Sequence, residues 1–108
     1  MSTAKKKHPL TDEELEAVAR QFRLLGEPMR LKILQAVCSE ARTVNDIVSA
    51  VGATQANVSK HLALLAAAGI LTRQKERQCV YYGLKNELTL KLCELVHAHR
   101  EGGRGGGR

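Results

Sequence analysis

Residues 43–68 constrain the fold more tightly than any other stretch of the chain. Thr43, with Asp46 three residues on, opens a short amphipathic helix in which Val44, Ile47, Val48 and Val51 face inward at helical spacing. Gly52 can take the left-handed conformation that ends such a helix. Thr54 has a hydroxyl suited to capping the next one. That next helix is predicted from about Gln55 to Ala68, with Val58, Leu62, Leu65 and Ala66 along one side. Two short helices joined by about three residues that include a glycine form a helix-turn-helix.

The flanks extend this unit. Thr11 and Glu14 have the T-x-x-E spacing of a capping box. Leu15, Val18, Ala19, Phe22 and Leu25 then follow a helical period up to Gly26. Glu27-Pro28 opens a second helix, with Pro28 in the first turn, where a missing N–H costs nothing. Leu31, Ile33, Leu34, Val37 and Cys38 are its expected buried stripe, and Ser39–Arg42 is a polar break. After Gly69 the period becomes two. Ile70–Lys75 is a predicted strand, Glu76-Arg77-Gln78 a polar turn, and Cys79–Leu84 a return strand rich in β-formers. A last helix is expected from about Glu87 to Arg100. Leu88, Leu92, Leu95 and Val96 mark one apolar side of it, and Leu90, Cys93 and His97 another. A terminal helix apolar on two sides suits two partners, its own core and another subunit.

The expected fold is therefore mainly α with a β-hairpin, in the order α-α-α-α-β-β-α. A hairpin directly after a helix-turn-helix is the winged plan. Residues 1–9 read as a flexible basic arm, 10–100 as the DNA-binding and dimerisation domain, and 101–108 (EGGRGGGR) as a disordered Gly/Arg tail.

Composition removes several classes of function. The 108 residues suffice for one domain with one core. No window approaches ~18 consecutive apolar residues, and no apolar run follows the N-terminal lysines. Neither a membrane span nor a secretory signal is expected, and the expected location is cytoplasmic. Aromatic residues make up only 3%, which argues against a stacking platform for single strands. Cys38, Cys79 and Cys93 are odd in number and scattered, so they form neither a disulfide framework nor a classical zinc finger. A small enzyme with a cysteine nucleophile lacks a base at a diagnostic spacing, and no phosphate loop or cofactor motif is present. No cofactor is expected.

The net charge of +6 sits largely in the ends, at Lys5, Lys6, Lys7, Arg104 and Arg108. What matters is its placement in the body. From Thr54 to Gln78, Lys60, Arg73, Lys75 and Arg77 face only Glu76, a local positive stripe of the kind phosphate contact requires. A helix fits the major groove of duplex DNA and presents its first side chains to base edges, while a wing carries cations to neighbouring phosphates.

The segments LLGEPMRLKIL (Leu24–Leu34), TQANVSKHLALLAAAGIL (Thr54–Leu71) and YYGL (Tyr81–Leu84), in this order and spacing, resemble the ArsR/SmtB family of bacterial repressors. The likeness spans roughly Leu15 to Val96. It implies a homodimer, formed through the first and last helices, that binds a palindromic duplex operator and is loosened from it by an effector. Recognition-helix contacts carry over onto Thr54, Gln55, Asn57, Ser59, Lys60 and His61. Wing contacts carry over onto Arg73, Lys75, Arg77 and Gln78. Each has a plainer reading: Thr54 as a cap, Gln55 and Asn57 as ordinary solvated amides, His61 as a helix-surface spacer, the wing cations as protection of a sheet edge.

The effector is open. The family's cysteine motif at the DNA-binding helices has no counterpart in Thr43–Gly52, which contains no cysteine. The family's zinc site in the last helices would fall on Asn86, Leu88, His99 and Gly102, of which only His99 is a metal ligand. Thiol chemistry, by oxidation or persulfidation, remains for Cys38 and Cys93, which alternatively are ordinary core residues. Cys93 and His97 are four apart on one helix face, and with Cys38 they offer a soft metal or metalloid set. Cys79, at the head of a wing strand, reads as structural or exposed. A winged helix serving only as a protein-interaction module is the further alternative.

Overall fold

Each helix begins where a side chain can satisfy its free amide groups. The computed structural model describes residues 9–107, in the order α1 (Asp12–Leu25), α2 (Pro28–Ala36), β1 (Arg42–Thr43), α3 (Val44–Val51), α4 (Gln55–Ala67), β2 (Leu71–Glu76), β3 (Cys79–Leu84) and α5 (Leu88–Gly107). Thr11 Oγ1 accepts from Glu14 N at 3.1 Å while Glu14 Oε1 accepts from Thr11 N at 2.9 Å, the reciprocal capping box. Glu27 opens α2 by accepting from Met29 N at 2.7 Å. Thr43 and Thr54 cap α3 and α4 through Asp46 N and Asn57 N, both at 3.2 Å. Between them Gly52 stands at φ 72°, ψ 38°, the left-handed geometry that lets the chain turn sharply.

The core lies beneath this turn. Ile33 and Leu34 rise from α2 and Val37 from the residue that closes it, Ile47 comes from α3, and Val58, Leu62 and Leu65 form the inner face of α4. Leu25, Ile70 and Leu71 close the cluster at the end of α1 and the foot of the wing. The inner face of α4 is thus held on several sides, which sets the direction of its outer face.

Four expectations are corrected. First, α2 stops at Ala36, so Cys38 is not part of a buried stripe but exposed, its sulfur 3.9 Å from Ser39 Oγ. The cause is a tightened last turn, in which Val37 N bonds to the carbonyls of both Ile33 and Leu34, followed by Arg42 Nε donating to Ala36 O at 2.7 Å. Second, part of the polar break is a strand. Arg42 and Thr43 pair antiparallel with Tyr82 and Tyr81, giving a three-stranded sheet of order β1-β3-β2. Gly83 permits the approach: a Cβ there would stand 3.2 Å from Ala41 Cβ.

Third, Glu76 belongs to β2, pairing with Cys79, so the wing turn is only Arg77-Gln78. Two-residue hairpin loops need positive φ at the first central position, and Arg77 supplies it at φ 60°. Glycine holds that conformation without a Cβ clash. Arg77→Gly is therefore expected to raise stability by about 1 kcal/mol in thermal unfolding, and an unchanged or lower melting temperature would show that the turn is unstrained.

Fourth, α5 begins at Leu88, whose N–H is capped by Asn86 Oδ1 at 2.9 Å, and its backbone continues to Gly107. Residues 101–107 are thus helical in place of the expected disordered tail. The basic arm with Lys5, Lys6 and Lys7, and Arg108 at the other end, lie outside the described residues.

Candidate nucleic-acid interface

The outer surface of α4 and the wing form one polar face. Thr54, Gln55, Ser59 and Lys60 are exposed, and Asn57 is half-buried. Thr54 spends its hydroxyl oxygen on the cap, accepting from Asn57 N, which leaves its O–H free to donate. On the wing Arg73, Lys75, Arg77 and Gln78 are all exposed. Arg73 Nε donates to Tyr82 Oη across the hairpin at 3.2 Å, which fixes part of its guanidinium against β3. Among the described residues the ion pairs are Arg42–Glu40 and Lys91–Glu87, so Lys60, Arg73, Lys75 and Arg77 have no acidic partner. Such uncompensated cations beside outward amides can bind phosphates and read base edges.

His61 does not belong to this face. It is only 6% exposed, and its Nδ1 accepts a hydrogen bond from Arg30 Nε at 3.0 Å. Burial, and then the nearby Arg30 charge, hold its pKa below the ordinary 6.5, so the imidazole is neutral. Its helical position explains the correction. At 3.6 residues per turn His61 lies about 60° from Val58 and about 40° from Leu65, within the arc those side chains bury. Its partner Arg30 stands outside the residues the sequence singles out. The local trace of the pair is a histidine on the apolar arc of α4, with Arg30 in the first turn of α2.

The cysteines are separated. Cys38 lies on the turn beyond α2, and Cys79 is exposed at the wing tip. Cys93 is half-buried in an apolar groove of about 420 Å³ between α1, α2 and α5, with Phe22, Leu31, Val96 and His97 in its walls. Among the described residues no group of three or more His, Cys, Asp or Glu side chains is placed to hold a metal ion. Cys38, Cys93 and His97 thus form no common site within one chain, because Cys38 has left the helix that was expected to present it.

Besides Leu10 and Leu64, the large apolar side chains left uncovered among the described residues cluster on two elements. On α1 they are Leu15, Val18 and Phe22, and on α5 they are Leu88, Leu95 and Val96. Both helices are therefore amphipathic with an outer apolar side that a single chain does not bury. No helix among the described residues is long and apolar enough to cross a membrane.

Comparison with known proteins bears on all of this. Residues 27–73, from the start of α2 into β2, match the family described as "Bacterial regulatory protein, arsR family". The cadmium resistance transcriptional regulatory protein CadC of Listeria innocua is 34% identical over 82% of this chain and 76% of its own length. The chain belongs to the ArsR family. A second relative, the HTH-type transcriptional regulator KmtR of Mycobacterium tuberculosis, is 30% identical over 78% of this ArsR-family chain, which spans 65% of KmtR. The homodimeric winged helix-turn-helix DNA-binding domain of Mb0332 from Mycobacterium bovis superposes with a TM-score of 0.73 at 27% identity, covering 87% of this chain and 90% of that one. The winged helix-turn-helix plan is thus established for this ArsR chain. The relatives are transcriptional regulators, which removes the cysteine-nucleophile enzyme.

Proposed function

We propose that the chain is a homodimeric transcriptional repressor that reads a palindromic duplex operator and is released by an effector. The carrying observation is the exposed set Gln55, Ser59, Lys60, Arg73, Lys75 and Arg77, unpaired by acids and mounted on a helix-turn-helix and wing. Gln55, in the first turn of α4, is the base reader. Asn57 assists it, and Thr54, Ser59 and Lys60 with the wing residues through Gln78 hold the backbone. His61 is assigned no contact with DNA. The partners are the duplex and a second copy of the chain, in the cytoplasm.

Binding is expected to weaken steeply as salt rises, since each phosphate contact releases counterions. Gln55→Ala is expected to cost roughly 1–3 kcal/mol on the selected operator and little on random duplex. Both are read in one salt titration by fluorescence anisotropy. Salt-independent or absent binding would instead favour a protein-interaction module, and equal losses on both duplexes would remove Gln55 as the reader.

For release, Cys93 is better placed than Cys38. Oxidation or persulfidation there adds bulk and polarity in the groove between α1 and α5, the helices with uncovered apolar sides. Operator affinity is expected to drop on treatment, and Cys93→Ser to abolish the drop. A drop lost only in Cys38→Ser would move the sensor to the α2 turn.

A further inference from the structure

Arg30 connects elements that duplex binding needs in fixed relation. From the first turn of α2, its Nε donates to His61 Nδ1 on α4, and a terminal nitrogen donates to the Leu24 carbonyl in the last turn of α1, both at 3.0 Å. A last-turn carbonyl has no partner inside its own helix, so Arg30 completes the end of α1 while gripping α4. The uncovered apolar side of α1 and the reading face of α4 are thus tied through one planar side chain, whose nitrogens have fixed directions.

We propose that Arg30 is a positioning residue for duplex binding: through His61 and the Leu24 carbonyl it fixes the reading helix against the helix that faces the second copy, and so sets how the paired reading helices meet successive grooves. This inference rests on the duplex-binding function proposed above. Arg30 and His61 touch no DNA in it. Their effect is on the angle and spacing of α4, which matter most when two half-sites are engaged together.

The link has a chemical weak point. His61 contributes a lone pair at Nδ1, with its proton on Nε2. Protonated imidazole has two N–H donors and no acceptor, so Nδ1–H would then face Arg30 Nε–H. The charged groups around His61 are Arg30 and Glu27 from α2 and Lys60 from α4, and Arg20 and Arg23 of α1 line the same cleft as Arg30. Burial and Arg30 disfavour the cation more than Glu27 favours it. The folded pKa lies below the unfolded one, so the link's contribution is complete above about pH 6.5 and is lost as pH falls from there through the lowered value. Acid ordinarily tightens binding to phosphates by adding positive charge. Acid-weakened binding therefore runs against the general trend and reports on the link.

The test uses a palindromic duplex of about 30 base pairs, enriched from a randomised library by the wild-type chain, together with its isolated half-site. Wild-type affinity for the full duplex is expected to fall about tenfold or more between pH of about 7.5 and about 5.5, with a smaller change on the half-site. Arg30→Met and His61→Leu should show a comparable loss already at neutral pH and no further acid response. His61→Asn places a non-titrating acceptor near the position of Nδ1. It should rescue the neutral-pH affinity lost in His61→Leu and hold that affinity in acid. Wild-type acid sensitivity persisting in His61→Asn, or wild-type affinity in His61→Leu, overturns the link. If Arg30→Met or His61→Leu fails to fold by circular dichroism, the acid response of His61→Asn decides. A wild-type chain that enriches no duplex overturns the duplex-binding function and the link's role with it.

Discussion

Replacing Leu95 with Glu is expected to turn a dimer into a monomer and to reduce affinity for the full operator by about 100-fold or more. Leu95 is 67% exposed in the single chain, so its own domain loses little when the side chain changes. It shares α5 with Leu88 and Val96, and Phe22 on α1 is 59% exposed. A contiguous apolar side of this kind marks an interaction surface. A carboxylate buried there without a partner is expensive enough to prevent association. The DNA effect follows from geometry. Once one half-site is engaged, the second is bound at an effective concentration set by the tether, which raises affinity by about 10²–10⁴ without new contacts. Light scattering at micromolar concentration reads the mass, and anisotropy on full and half-site duplexes reads the coupling. Half-site affinity should be unchanged. A wild-type chain that is already monomeric, or a variant that remains dimeric with full operator affinity, would remove α1 and α5 as the pairing surface. Phe22→Glu is expected to behave in the same way from the other helix.

The helix-turn-helix was legible because each of its parts is signalled within a few residues. Thr43 and Thr54 cap, Gly52 turns, and the apolar residues of α3 and α4 keep a 3.6-residue period. The wing strands were legible for the same reason, by their period of two. What escaped depends on residues far apart in the chain. β1 is two residues long and exists only because β3 lies beside it, so nothing in Arg42-Thr43 alone announces a strand. Gly83, inside strand β3 near its end, is its one local trace. The wing turn was placed a residue too wide because its positive-φ position holds Arg77 rather than Gly or Asn. Cys38 was placed in the core by continuing a helical stripe past the point where Val37 closes the helix.

The candidate interface divides along the same line. Gln55, Ser59, Lys60 and the wing cations are expected as duplex contacts from the family resemblance, and the structure exposes them. His61 was grouped with them by residue type, although its angular position puts it among Val58, Leu62 and Leu65. Its partner Arg30 is 31 residues away in sequence, so the pair emerges only when α2 and α4 pack together. A polar residue on a buried arc is a prompt to look for its hydrogen-bond partner, since an unsatisfied one costs about 1–3 kcal/mol.

Truncating the other side of α4 has the largest expected effect on stability. Leu62 is fully buried between Val58 and Leu65 on the inner face of the helix. Leu62→Ala removes that contact area and leaves a cavity that the capped helices around it cannot collapse to fill. The expected loss is about 2–5 kcal/mol, against a typical total of about 5–15 kcal/mol for a small domain. Ser59→Ala, three residues earlier and facing outward, should change stability by no more than about 0.5 kcal/mol while weakening duplex binding. Urea unfolding of both variants at one protein concentration makes the comparison, since association would otherwise shift the midpoint. A small loss in Leu62→Ala would mean that α4 is held mainly by its caps and by the Arg30 link. A large loss in Ser59→Ala would mean that the outward face also carries structure. The expected contrast separates the two jobs of one helix: the inner residues hold it in place, and the outer ones are free to vary with the operator because the fold does not depend on them.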